Sequence, residues 1–145
     1  MNREIKFRAW DNENKYMVIS KQGVFTALRN SMNIVRQDNG YYNDGDLLKP
    51  NKEKYILMQY TGLDDKNGKE IYEGDIVLLD CYYYEEPAFD GEFKVIYDDI
   101  NGMWLLVDLE DKENIYTFEN IRGYYKTEIE VIGNMYDNPE LLGGE

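Results

Sequence analysis

Leu57-Met58-Gln59-Tyr60-Thr61-Gly62-Leu63-Asp64-Asp65-Lys66-Asn67-Gly68-Lys69-Glu70-Ile71-Tyr72-Glu73-Gly74-Asp75-Ile76-Val77 spells a strand, a turn and the entry to a further strand. Large apolar groups from Tyr55 to Tyr60 suit a pleated, half-buried surface. Asn67-Gly68 is the strongest short hairpin signal in the chain, because both residues tolerate positive φ. Glu73-Gly74-Asp75 is a second tight turn, and Ile76-Val77-Leu78-Leu79 is a buried-strand run. A Gly-Asp pair leading into β-branched residues commonly opens the first strand of an SH3-like barrel, with the Asp holding local backbone before the strand begins.

Outward from this stretch the same pattern repeats. Ile5, Phe7 and Ala9 alternate with Lys6 and Arg8, the two-residue period of a strand. Asp11-Asn12-Glu13-Asn14 turns the chain into a return strand at Tyr16-Met17-Val18-Ile19. Val24, Leu28, Met32 and Val35 fall near helical spacing, so a helix is expected between Val24 and Asp38. Turn clusters at Asp38-Asn39-Gly40, Asn43-Asp44-Gly45-Asp46 and Lys49-Pro50-Asn51 mark a variable surface segment. Downstream, Tyr82 to Pro87 reads as a long loop or distorted strand end. Strands are expected at Glu92–Tyr97, Trp104–Leu109, Tyr116–Phe118 and Glu128–Ile132, with a turn at Asn101-Gly102. The fold expected is β-rich α+β: an N-terminal subdomain over residues 1–60 and an SH3-like barrel over residues 61–145.

Composition narrows the chemistry. The 145 residues contain no histidine and one cysteine, Cys81. A Ser–His or Cys–His nucleophile and a typical zinc site are therefore out of reach. No internal disulfide can form, the N-terminus lacks a signal-peptide core, and no apolar run approaches the length of a membrane span; a cytoplasmic home is expected. Through Tyr60 ten bases face seven acids, a net of +3, which leaves −16 for the remainder of a chain whose total is −13. The acidic part should repel phosphate backbones.

Three acidic features invite chemistry. Asp65, Asn67 and Gly68 occupy the third, fifth and sixth positions of an EF-hand-like loop. Leu63 and Gly74 then fall where the first and twelfth ligands belong, so an acidic β-turn is the better reading than a calcium loop. The pairs Glu85-Glu86, Asp98-Asp99 and Glu110-Asp111 suggest acid–base work, but neighbours on a strand point to opposite faces and do not converge. The fourteen tyrosines cluster at Tyr41-Tyr42, Tyr82-Tyr83-Tyr84 and Tyr124-Tyr125. Rings of this kind serve cores and interfaces; base stacking would need a basic groove, and Asp80, Glu85 and Glu86 surround them instead.

Three blocks resemble the YopX-like proteins of bacteriophages and prophages: Arg3–Asp11, Leu57–Val77 and Glu130-Val131-Ile132-Gly133-Asn134-Met135-Tyr136-Asp137-Asn138-Pro139-Glu140-Leu141-Leu142. The resemblance implies a phage or prophage protein made in the bacterial cytoplasm, with an N-terminal α+β part associated with oligomerisation and an SH3-like C-terminal barrel. It carries over no catalytic residue, metal or cofactor. It marks Trp10, Tyr60, Gly62, Asn67, Gly68, Gly74, Asp75, Gly133, Asn134 and Pro139 as fold or interface positions. The function expected is that of a non-enzymatic, self-associating accessory protein that binds a host or phage macromolecule, with neither nucleic acid nor membrane as its partner. The alternatives are an acidic DNA-mimicking inhibitor of a host nucleic-acid enzyme, a carboxylate-metal enzyme, and direct nucleic-acid binding by the N-terminal bases.

Overall fold

The computed structural model describes residues 4–24, 32–33, 49–50, 54–124 and 126–143. The chain divides into two compact units, Lys6–Gln59, and Tyr60–Glu145 together with Met1–Ile5. The strand β5 (Tyr55–Asp64) runs from the first into the second.

In the first unit β1 (Phe7–Asp11) is paired antiparallel with β2 (Tyr16–Val18) on one side and with the first half of β5 on the other. Asp11 makes the turn: its carboxylate accepts the backbone N–H of Glu13 (3.0 Å) and Asn14 (2.9 Å) and the Asn14 side-chain amide (3.0 Å). Alternation sends Arg8, Trp10 and Met58 to the buried face. Residues 21–24 form a helical turn, with the Ser20 hydroxyl accepting the Gly23 N–H. A short ladder joins β3 (Met32–Asn33) to β4 (Lys49–Pro50). Met32 and Asn33 are thus extended where the apolar spacing predicts helix; spacing from Val24 to Val35 is a weak signal that cross-strand pairing overrides. Residues 25–31 and 34–38 of that expected helix, and the turn clusters within 38–46, lie outside the described residues.

The second unit is built on a five-stranded antiparallel sheet. Its strands are β7 (Asp75–Tyr83), β8 (Glu86–Asp98), β9 (Met103–Asp108), β10 (Ile115–Thr117) and β11 (Lys126–Asn134). Their spatial order is β10-β9-β8-β7-β11. Four strands meander and the fifth returns beside the first, which agrees with the connectivity of an SH3-like barrel, and the sheet curls into a half-barrel. A single-turn helix, α1 (Phe118–Arg122), lies between β10 and β11. Thr117 caps it by accepting the Asn120 N–H, and the Asn120 side chain returns the bond to the Thr117 N–H. The concave face holds Val77, Leu79, Cys81, Phe93, Val95 and Leu106, closed over by Phe118 and Ile121 of α1 and by Ile71 of β6 (Glu70–Tyr72). Of the two readings of Tyr82–Pro87, the distorted strand end is the one that forms. β7 runs on to Tyr83 and β8 starts at Glu86, with a register shift between Cys81 and Tyr82, because cross-strand pairing from Ile76↔Lys94 outward carries both strands to a tight hairpin tip.

Candidate functional site

The second and third sequence blocks meet in the second unit. The second half of β5 pairs with β6, and the loop between them, residues 65–69, folds onto β11. Asp65, 8% exposed, organises this junction. Its Oδ1 accepts the N–H of Asn67 (2.8 Å) and Lys69 (2.9 Å), and its Oδ2 accepts the N–H of Val131 (2.9 Å). The Lys66 N–H donates to the Ile129 carbonyl at 2.8 Å. Burial opposes the charge on Asp65, but the three N–H donors and the Lys69 ammonium outweigh it and hold the carboxyl below its ordinary range. Both oxygens are occupied by donors, so this carboxylate is a backbone staple and offers no face to a cation.

Asn67-Gly68 does form the hairpin loop, in a different manner from a two-residue turn. Gly68 alone takes positive φ (81°), while Asn67 does not, because Asp65 draws the following N–H groups inward. Gly74 (φ 84°) gives the next reversal, its N–H donating to Val95 and its carbonyl accepting from Met135. Asp75, 1% exposed, accepts the Tyr72 N–H at 2.7 Å.

Asp75 is directly opposite Asn134, and Ile76 opposite Gly133. Asn134 holds the turn that follows β11, accepting N–H groups from Tyr136 and Asp137. Pro139 opens the 3-10 turn Pro139–Leu142. A β-carbon on Gly133 would lie 2.5 Å from Asn138 Oδ1 and 2.9 Å from Leu141 Cδ1. Gly133→Ala is therefore expected to cost about 1–2 kcal/mol and to loosen the Asn134 amide, which donates to Asn138 Oδ1. Urea unfolding and hydrogen exchange at Asn134 check this; unchanged protection at that amide would refute it.

Gly74, Asp75, Gly133, Asn134 and Pro139 thus gather at one end of the half-barrel, and Asn67 and Gly68 sit on the loop stapled to β11. Tyr60 is buried on β5, its hydroxyl donating to Asp64 Oδ1 at 2.6 Å and its ring 5.5 Å from that of Tyr72. Burial, then this hydrogen bond and the Asp64 charge, push its phenol far above the ordinary range. Gly62 lies at the register irregularity between Tyr60 and Asp64. Trp10, 5% exposed, belongs to the first unit.

Two of the acidic pairs singled out in the sequence are taken up in turns, while Glu85 and Glu86 lie together at the β7–β8 hairpin. Asp98 is spent on its turn, accepting N–H groups from Ile100 and Asn101 and the Asn101 amide. Asp111 accepts the Glu113 N–H, while the Glu110 N–H donates to Asp108. Among the described residues no three Cys, Asp or Glu side chains are placed to hold a metal ion. Cys81, 1% exposed, is a core residue whose thiol is pushed up by burial.

Two surface features were not legible in the sequence. On the convex face of the sheet, Glu128, Asp80 and Asp90 stand opposite one another across β11, β7 and β8, and Glu130 and Glu92 flank Leu78 in the next row. Like charges directly opposite are unfavourable, and Lys66 (3.5 Å from Glu130) and Lys126 (3.1 Å from Glu128) relieve part of this row. In the first unit, register and alternation place Phe7, Ala9, Asp11, Tyr16, Val18, Tyr55, Leu57 and Gln59 on the face of the β1–β2–β5 sheet opposite Trp10, with Ala9 and Asp11 buried and Phe7 39%, Leu57 37% and Tyr16 52% exposed. Register was the missing information in both cases.

A family model described as "YopX protein" matches residues 6–143. Among solved structures, the protein EF1440 from Enterococcus faecalis is similar, with 26% identity and a TM-score of 0.58 over 98% of this chain and 100% of that one. Protein yopX from Bacillus subtilis shares the fold, with 22% identity and a TM-score of 0.53 over 98% of this chain and 100% of its own. No curated protein matches the chain.

Proposed function

The chain belongs to the YopX family, and from that premise we infer that it is a non-enzymatic binding protein, of phage or prophage origin and working in the bacterial cytoplasm, that self-associates and engages another macromolecule. The observation that carries self-association is the sheet face that exposes Phe7, Tyr16 and Leu57. Exposed large apolar side chains grouped on one sheet face are the kind of surface that a monomer rarely leaves bare. Its occupant in this proposal is a second copy, because the chain supplies the complementary charge itself: +3 through Tyr60 against −16 beyond it. A binding role is further supported by Asp11, Asp65, Asp75 and Asp98, whose carboxylates are committed to local backbone N–H groups and so to shaping turns. No helix among the described residues is long and apolar enough to cross a membrane.

Light scattering tests this directly. The wild type is expected to run as an oligomer, and Leu57→Lys or Phe7→Lys to weaken association by about thirtyfold or more, because a charge would enter an apolar interface. A wild type that stays monomeric across concentrations would sink the proposal. The convex carboxylate rows favour a second role, mimicry of nucleic acid toward a basic DNA-binding protein. Competition with duplex DNA for such a protein checks it, and failure to displace DNA at high excess rules it out.

A further inference from the structure

The β8–β9 turn presents an isoleucine to solvent. Polar groups alone shape this turn: the Asp98 carboxylate accepts the N–H of Ile100 (3.1 Å) and Asn101 (3.3 Å) and the Asn101 side-chain amide (2.7 Å). The Asp98 carbonyl accepts the Gly102 N–H at 2.8 Å, and Gly102 completes the reversal at φ 66°. Ile100 is thereby held at the tip, 90% exposed. Met103 and Tyr97, on the strand ends beneath it, are 40% and 43% exposed. A single surface isoleucine needs no explanation. Three large apolar side chains around one fixed turn make a pre-shaped projection, which binds without first being ordered.

We infer that this turn docks on the sheet face of Phe7, Tyr16 and Leu57 in a second copy, so that self-association runs head to tail. The inference rests on the self-association proposed above and names the segment that fills the face. Charge complementarity selects it. Phe7, Tyr16 and Leu57 belong to the part of the chain that carries +3. Lys54 holds its ammonium 5.6 Å from the centre of the Tyr55 ring, which lies on that same face. The turn belongs to the part that carries −16, with Asp98 and Asp99 beside Ile100. Two faces meeting each other would set like-charged segments together, whereas turn on face sets acids against bases. Apolar groups then meet at the centre and opposite charges at the rim, the anatomy of a specific interface. Such a contact joins two different patches, so each copy offers one and receives the other.

Light scattering across concentrations tests this with Leu57→Lys, which spoils the face, and Ile100→Ser, which strips the tip. Ile100→Ser is expected to weaken association by about tenfold, the worth of one buried aliphatic side chain. At a concentration where each variant alone is monomeric, an equal mixture is expected to form heterodimers. The intact turn of the Leu57→Lys copy would then meet the intact face of the Ile100→Ser copy. Identical patches meeting each other could not be rescued in this way. Because Ile100 is exposed, Ile100→Ser should melt within about 2 °C of the wild type; a larger drop would mean that the residue serves the fold, against the inference. Association of Ile100→Ser within about twofold of the wild type, or a mixture that stays monomeric, would overturn the docking and leave self-association standing. A wild type that is itself monomeric would remove both.

Discussion

Phe93→Ala is expected to destabilise the half-barrel by about 4 kcal/mol. Phe93 is 1% exposed near the middle of β8. Its ring meets those of Phe89 and Tyr116 edge to face, at 6.2 and 5.8 Å. Phe89 in turn stacks on Tyr116 at 4.9 Å and meets Tyr124 at 5.2 Å, so the four rings form one connected layer beneath α1. Alanine would remove the transfer energy of the ring, two aromatic contacts and the support of their neighbours, and the rigid sheet cannot collapse into the gap. Set against a total stability on the order of 5–15 kcal/mol, that loss is large. Urea unfolding followed by tyrosine fluorescence measures it, and Phe93→Leu should recover most of the deficit. A change below about 1.5 kcal/mol for the alanine variant would mean that the ring is not packed as described.

Asp65→Ala is expected to cost about 3 kcal/mol, by leaving the N–H groups of Asn67, Lys69 and Val131 without their acceptor. Asp65→Asn should recover only part, since its amide would turn a donor toward one of those N–H groups. The charge predicts a pH dependence as well. A carboxyl held below its ordinary value of 3.8 in the folded state binds fewer protons there than in the unfolded chain. Its stabilisation is complete above the unfolded value and is lost as pH falls through the lowered folded value. Asp11 and Asp98 are lowered in the same direction, Asp11 chiefly by the Asn14 N–H and Asp98 chiefly by the Asn101 side chain. The wild type should therefore lose stability steeply below about pH 4, and Asp65→Asn should flatten that limb. An acid limb of unchanged slope in the variant would refute the staple.

The β-rich class was readable because it rests on local facts: alternation at Ile5–Ala9, apolar runs at Tyr55–Tyr60 and Ile76–Leu79, and turn residues between them. Gly68 and Gly74 were readable for the same reason, since a positive φ is a demand that each residue meets alone. What escaped depends on partners distant in sequence or on signals too short to register. Five residues of α1 carry no helical period, and Asn120 stands where a capping box more often has Glu or Gln. Tyr84-Glu85 is not a turn dipeptide, so its hairpin was masked by tyrosines that look like strand. Asp65 looked like a failed calcium ligand because Val131, which explains it, lies 66 residues away. The row of Glu128, Asp80 and Asp90 exists only once β7 has neighbours on both sides.

The placement of β11 beside β7 has a consequence for how the chain reaches this structure. Lys126 pairs with Tyr82 and Asn134 with Asp75, so the strand that opens the half-barrel is completed by the half-barrel strand that comes latest in chain order. Until that segment leaves the ribosome, one edge of β7 has no ladder and Asp65 cannot reach Val131. The β7–β8–β9 meander can form early from contacts between neighbours in sequence, whereas closure waits on a long loop and should set the overall folding rate. A nascent chain stalled before Lys126 would thus present an open sheet edge, the surface through which unfinished β-proteins pair with the wrong partner.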